Sequence, residues 1–127
     1  MLIPWTPIDG PLCYLASPFS RYRLGHERAV ADIARIAGHL IHAGVKLFCP
    51  VVHCDPLVRF GKLKPTDAAL WRRINAPFVE ACSVLIVARL EGWDASAGIA
   101  DETTAFVERA APIFDLCPKS LLMTRRA

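Results

Sequence analysis

Apolar residues along the chain fall into two patterns, short continuous runs and longer stretches with helical spacing. Leu12 to Ser17 is a short apolar run ending at Ser17-Pro18, which predicts a buried strand followed by a loop. From Gly25 to Gly44 the positions Val30, Ile33, Ile36, Ala37, Leu40 and Ile41 recur at helical spacing, and Gly44 supplies a stop. Val45 to Val52 predicts a second strand, interrupted at Pro50. His53 to Thr66 contains Pro56, Gly61 and Pro65 and predicts a long loop, of the length at which loops tend to be lids or binding segments. Thr66 or Asp67 can cap the next helix, with an apolar stripe of Leu70, Ile74, Phe78 and Val79 and a kink expected at Pro77. Ser83 to Leu90 is the clearest strand, nearly continuous in apolar residues as parallel sheets require. A loop from Glu91 to Ser96, a helix from Ala97 to Ala110 and a strand from Pro112 to Leu116 follow, and the tail has room for a short fifth strand.

A helix thus stands between successive strands, and right-handed crossovers then give a sheet covered on both faces. The expectation is one α/β domain over residues 1–127. It has three layers and a flavodoxin- or Rossmann-like, mainly parallel sheet of four or five strands, with helices on both faces. Residues 1–11 read as an irregular lead-in and 117–127 as a tail. In such sheets ligands bind beyond the carboxyl ends of the strands. Here that edge comprises Ser17 to Arg23, Val52 to Asp55 and Glu91 to Gly98.

Composition narrows the function classes. The chain is 54% hydrophobic and 21% charged, ordinary for a globular domain. The net charge of +3 is small and the basic residues are scattered, which argues against a nucleic-acid partner. No apolar stretch reaches the roughly 18 to 20 residues a membrane span needs. Met1 to Pro11 carries three prolines and no Lys or Arg, unlike a secretory signal. Five cysteines without a CxxC pair read as free thiols in a reducing compartment, so a cytoplasmic protein is expected.

The edge segments hold the unusual polar residues. Tyr14 sits inside an apolar strand, where its hydroxyl needs a partner, and a core tyrosine bonded to a carbonyl is the plainer reading. Ser17, Ser20, Arg21 and Arg23 follow, able to hold an anion or to form a solvated turn. Ser96 and Gly98 open a helix, where free N–H groups and the dipole favour an anion and Gly98 admits close approach. Glu102 lies about 9 Å along that helix from Ser96 and about 60° around it, so the two share a face. One ligand with an anionic end and an electrophilic carbon, such as a nucleoside monophosphate, could meet both. A capped helix with solvated Asp101 and Glu102 fits the spacing equally.

Four segments in order resemble the nucleoside 2-deoxyribosyltransferase superfamily. They are Tyr14-Leu15-Ala16-Ser17-Pro18-Phe19, Pro50-x-x-His53, Thr66-Asp67-x-x-x-Trp71 and Ser96-x-Gly98-x-x-x-Glu102. The resemblance runs from about Leu12 to Leu116 and is strongest to a small uncharacterised branch. It implies a retaining glycosyl transfer in which Glu102 attacks C1′ and Tyr14 orients it. Phe19, His53 and Trp93 would line the pocket. Ser96, where the transferases carry Asp, is similar to the branch that hydrolyses 2′-deoxynucleoside 5′-monophosphates, with Ser17, Arg21 and Arg23 as further phosphate contacts. The family's base-handling Asp falls at Asn75, which cannot protonate a leaving base. Asp67, His53 or Asp55 would have to take that role, or the fold would serve as a non-catalytic nucleotide or nucleotide-sugar binding module. The resemblance implies no metal or organic cofactor, a small-molecule nucleoside or nucleotide as partner, and a homodimer or higher homo-oligomer.

Other constellations are poorer. His39, His42, His53 and Cys54 would have to bring zinc ligands from separate elements without motif spacing. Trp71 and Trp93 can stack on a base or cover the pocket, with Trp93 favoured by its position just before Ser96. Arg72-Arg73 and Arg125-Arg126 read as solvated charges. Neither a Walker loop nor GxGxxG occurs.

Overall fold

A computed structural model describes residues 10–19, 22 and 24–126. Strand β1 spans Leu12–Ala16, helix α1 His26–His42, β2 Lys46–Phe48, α2 Pro50–Arg59 and α3 Ala68–Ala81. Then come β3 (Val84–Ala88), a 3-10 turn at Trp93–Ala95, α4 (Ala97–Glu108), β4 (Ile113–Leu116) and β5 (Met123–Arg125). The sheet order is β2-β1-β3-β4-β5. The first four strands run parallel, and β5 returns antiparallel to β4, pairing Asp115 with Thr124. The three-layer α/β arrangement expected from the sequence is present. This order places the topological switch point between β1 and β3, where the connections leave in opposite directions and open a crevice.

The strands' continuous apolar runs resolve into two alternating sets. Cys13, Leu15, Ile86, Ala88, Phe114 and Leu116 face α1, meeting its buried Ile33, Ile36, Ala37 and Leu40. Tyr14, Ala16, Leu85, Val87 and Ile113 face the other way, onto Ile99 and Phe106 of α4. All five residues of β3 are buried, as a central strand covered on both faces demands. Gly44 ends α1 as expected, with φ of 96° and its N–H bonded to the Ile41 carbonyl at 2.9 Å.

The stretch after β2 departs from expectation. The second strand stops at Phe48, and residues expected to form a loop coil instead into α2. Pro50 occupies its first turn, where a missing N–H costs nothing and the fixed φ suits a helix. A proline read as a strand interruption is therefore a helix start. Pro56 lies inside α2 without dividing it, and Pro77 inside α3 likewise. Neither α2 nor α3 buries any residue. The apolar stripe expected to bury α3 leaves Ile74 and Phe78 about 40% exposed. Among the described residues no helix is long and apolar enough to cross a membrane.

Candidate active site

Glu102 sits on the second turn of α4, on the side facing the sheet. Position 102 follows Ile99 by three residues and precedes Phe106 by four, so the carboxylate shares the face those two bury. It is half-buried and lines a cleft of about 670 Å³ beyond the carboxyl ends of β1, β2 and β3. Burial pushes its pKa from 4.5 up to about 7, with the charge of Asp101 adding to the rise and Tyr14 opposing it.

Tyr14, from the centre of β1, is fully buried. Its pKa is raised by burial first and then by the Glu102 carboxylate, so the phenol stays a neutral donor. The hydroxyl approaches Glu102 closely enough for each to alter the other's proton affinity. It nevertheless completes no hydrogen bond of normal length and angle. The phenol is held in place by rings instead, Phe48 at 5.8 Å and Phe106 at 6.3 Å between centroids. Two more buried polar atoms among the described residues lack partners: Ser17 Oγ, just past the end of β1, and Asn75 Oδ1, on the cleft wall of α3. Buried polar groups are rarely left unpaired, and here two lie on or just past β1 and the third on α3, which contacts that strand.

At the cleft's mouth Ser96 caps α4, its Oγ accepting from the Ile99 N–H at 3.3 Å. Gly98 lines the cleft in the first turn, and an added Cβ there would meet only Ser96 Oγ, at 3.8 Å. The turn thus has open space before it. Phe19 lines the cleft from the loop after β1 and stacks on His26 with centroids 4.3 Å apart. Arg21 and Arg23 lie outside the described residues.

Five expected site residues are not in the cleft lining: Tyr14 and Ser17, described above, and His53, Trp93 and Asp67. His53 does not line the cleft, because the segment carrying it is helical and the Cys49 N–H donates to its Nδ1 at 3.1 Å. Its ring stacks on Phe48. Trp93 packs against the core under the Arg89 guanidinium, 4.3 Å from the ring centroid, while Trp71 takes the cleft position. Trp71 is fixed there by its indole N–H, which donates to the Lys64 carbonyl at 2.8 Å. Asp67 is the exposed N-cap of α3, accepting from the Leu70 N–H at 3.2 Å, and is no part of the cleft lining.

The sequence reading missed the α2 wall. Val51, Cys54, Asp55 and Val58 all line the cleft from that helix. Their spacing of three and four residues was the available signal, hidden by the prolines around it. Of the candidate acids Asp55, Asp67 and His53, Asp55 reaches the cleft, where it also pairs with Arg59 at 3.4 Å. Two arginines expected to be solvated are paired: Arg72 with Asp101 at 3.0 Å, and Arg126 with Asp115 at 2.5 Å.

Fold and cleft together define a flavodoxin-ordered α/β protein with a carboxylate and a phenol buried at its switch point. The chain belongs to the family described as a domain of unknown function, DUF1937, which it matches over residues 11–117. No curated protein matches it.

Proposed function

We propose that this protein cleaves the N-glycosidic bond of a nucleoside or nucleoside 5′-monophosphate, as a hydrolase or a deoxyribosyltransferase-like enzyme. The observation that carries the reading is the half-buried Glu102 carboxylate in the cleft, close to the unpartnered Tyr14 hydroxyl. A carboxylate with few competing hydrogen bonds keeps its lone pairs available for attack. In the first step a Glu102 oxygen bonds to C1′ as the C1′–N bond breaks, and the base leaves with the electron pair and takes up a proton. In the second, water or an acceptor base attacks C1′, the bond to Glu102 breaks and frees the carboxylate, and the attacker's proton passes to the group that protonated the leaving base. The open first turn of α4 at Ser96 and Gly98 supports an anionic or hydroxyl end for the same ligand. Asp55 is the acid best placed to serve the leaving base, since Asp67 caps a helix outside the cleft and His53 is held by Cys49. Five unpaired thiols fit a reducing, cytoplasmic setting. Exposed Leu57 on α2 and Phe60 just after it support self-association.

One observation favours a second reading. Asn75 places an amide, not an acid, on the cleft wall, and its buried Oδ1 is free to accept from a ligand N–H. That would suit a non-catalytic nucleotide or nucleotide-sugar binding module.

Incubation with a panel of deoxynucleosides and their 5′-monophosphates, read by chromatography for free base, separates the two. The enzyme releases base from at least one of them, and Glu102→Ala lowers the rate by about 10³-fold or more. Tight binding without release selects the binding module. Release undiminished in Glu102→Ala overturns the assigned nucleophile.

A further inference from the structure

The geometry points to Arg72 as a positioning residue that acts through Asp101: it ties α3 to α4 across the cleft and fixes the charge beside Glu102. The inference deepens the glycosidase reading, on which its functional meaning rests.

Helix α3 carries Trp71, Asn75 and Val79 into the cleft but buries none of its own residues, so packing alone holds it weakly. Two side-chain links bind it to its neighbour. At its carboxyl end, Arg109 from the end of α4 donates to the Val79 and Cys82 carbonyls at 2.7 and 2.5 Å. Nearer its start, Arg72 donates from both Nε and Nη2 to Asp101 Oδ2, at 3.2 and 3.0 Å. The second link lies beside the chemistry, because Asp101 immediately precedes Glu102 and both Arg72 and Asp101 line the cleft.

An exposed ion pair of this kind adds little to stability, commonly about 0–1 kcal/mol. Its consequence here is placement of charge. Asp101 disfavours ionisation of Glu102, and the guanidinium held on Asp101 offsets that carboxylate at short range. Among the described residues, the other titratable groups around Glu102 are Tyr14 from β1, Cys49 before α2, Cys54 and Asp55 on α2 and Glu80 on α3. Of the cleft-lining residues described, Arg72 is the sole cation, and it is bound to the residue next to the carboxylate in question.

The test is a carbon-13 NMR titration of glutamate side-chain carboxyls, with Glu102 assigned by its loss in Glu102→Gln. Arg72→Gln exposes the Asp101 charge and raises the Glu102 midpoint by about half a pH unit. Asp101→Asn, nearly isosteric and on the surface, lowers it by a similar amount. In the Asp101→Asn background, Arg72→Gln moves the midpoint by less than about 0.2, because the guanidinium is no longer held there. Arg72→Lys keeps most of the native value. A Glu102 midpoint unmoved in both single variants overturns the inference, as does a full Arg72 effect without Asp101. The titration reads the carboxyl itself, so failure of base release and failure of this coupling are distinguishable. Where base is released, the midpoint of the rate's pH profile moves with the titration.

Discussion

On the α4 side of the cleft, Ile99 and Phe106 are buried against the sheet and Ser96 caps the helix. On the α2–α3 side, two helices totalling 24 residues bury none, and Phe60 is 77% exposed. The first wall carries the Glu102 carboxylate; the second carries Asp55, Trp71 and Asn75. The difference is physically sensible. On the proposed reading Glu102 must be held within fractions of an ångström, which the packing of α4 on the sheet provides. Groups that admit and release a ligand belong on elements whose local stability is low.

The largest expected effect tests that contrast directly. Phe106→Ala removes a fully buried ring that packs against Tyr14 and lies under Arg109, and should cost about 3–5 kcal/mol in urea unfolding. Phe60→Ala, just past the end of α2, should change stability by less than about 0.5 kcal/mol. Equal losses at the two sites would mean that the end of α2 is packed as firmly as α4.

The same asymmetry explains what could be read from the sequence. Val84–Ala88 and the α1 stripe of Ile33, Ile36 and Leu40 announce themselves because burial on the sheet selects uniformly apolar residues. Ser96-x-Gly98-x-x-x-Glu102 was legible because a helix start and a shared face follow from spacing alone. What stayed hidden lies on the thinly buried wall. With no core face to impose a period, Pro50–Arg59 displayed its prolines more loudly than its helical spacing. Contacts between elements were equally out of reach. That Arg72 meets Asp101, or that His53 turns back to Cys49, depends on how helices sit in space. Trp93 and Trp71 had similar local credentials, and only packing assigned one to the core and the other to the cleft.

The cost of holding Glu102 in the packed wall is an intermediate effect, visible through pH. Its folded-state pKa of about 7 lies above the ordinary 4.5, so the folded protein binds this proton more tightly than the unfolded chain does. The stability this confers is fully present below about 4.5 and is lost as pH rises through about 7. Glutamine is neutral throughout and escapes the loss. Glu102→Gln should therefore unfold at about the same urea concentration as the parent near pH 4. At pH 8 it should be more stable by on the order of 2 kcal/mol, allowing for the carboxyl's partial access to water. A stability difference that does not change between those two pH values would show that Glu102 is not held in an environment hostile to its charge.

The smallest effect falls at Asp67, where the two walls make opposite demands on one residue. As an acid for the leaving base it would be needed in the cleft; as the α3 N-cap it needs only an oxygen facing the Leu70 N–H. Asn caps a helix about as well as Asp, so Asp67→Asn should alter stability by no more than a few tenths of a kcal/mol, whereas Asp67→Ala should cost about 1 kcal/mol. The amide cannot donate a proton as a carboxylic acid does, so any chemical role would be lost in both variants. Base release within about twofold of the parent in Asp67→Asn is expected, with Asp55→Asn the more damaging change because Asp55 lines the cleft. A drop of tenfold or more in Asp67→Asn at unchanged stability would mean that α3 swings its first turn inward when ligand binds. The looser wall would then do part of the chemistry.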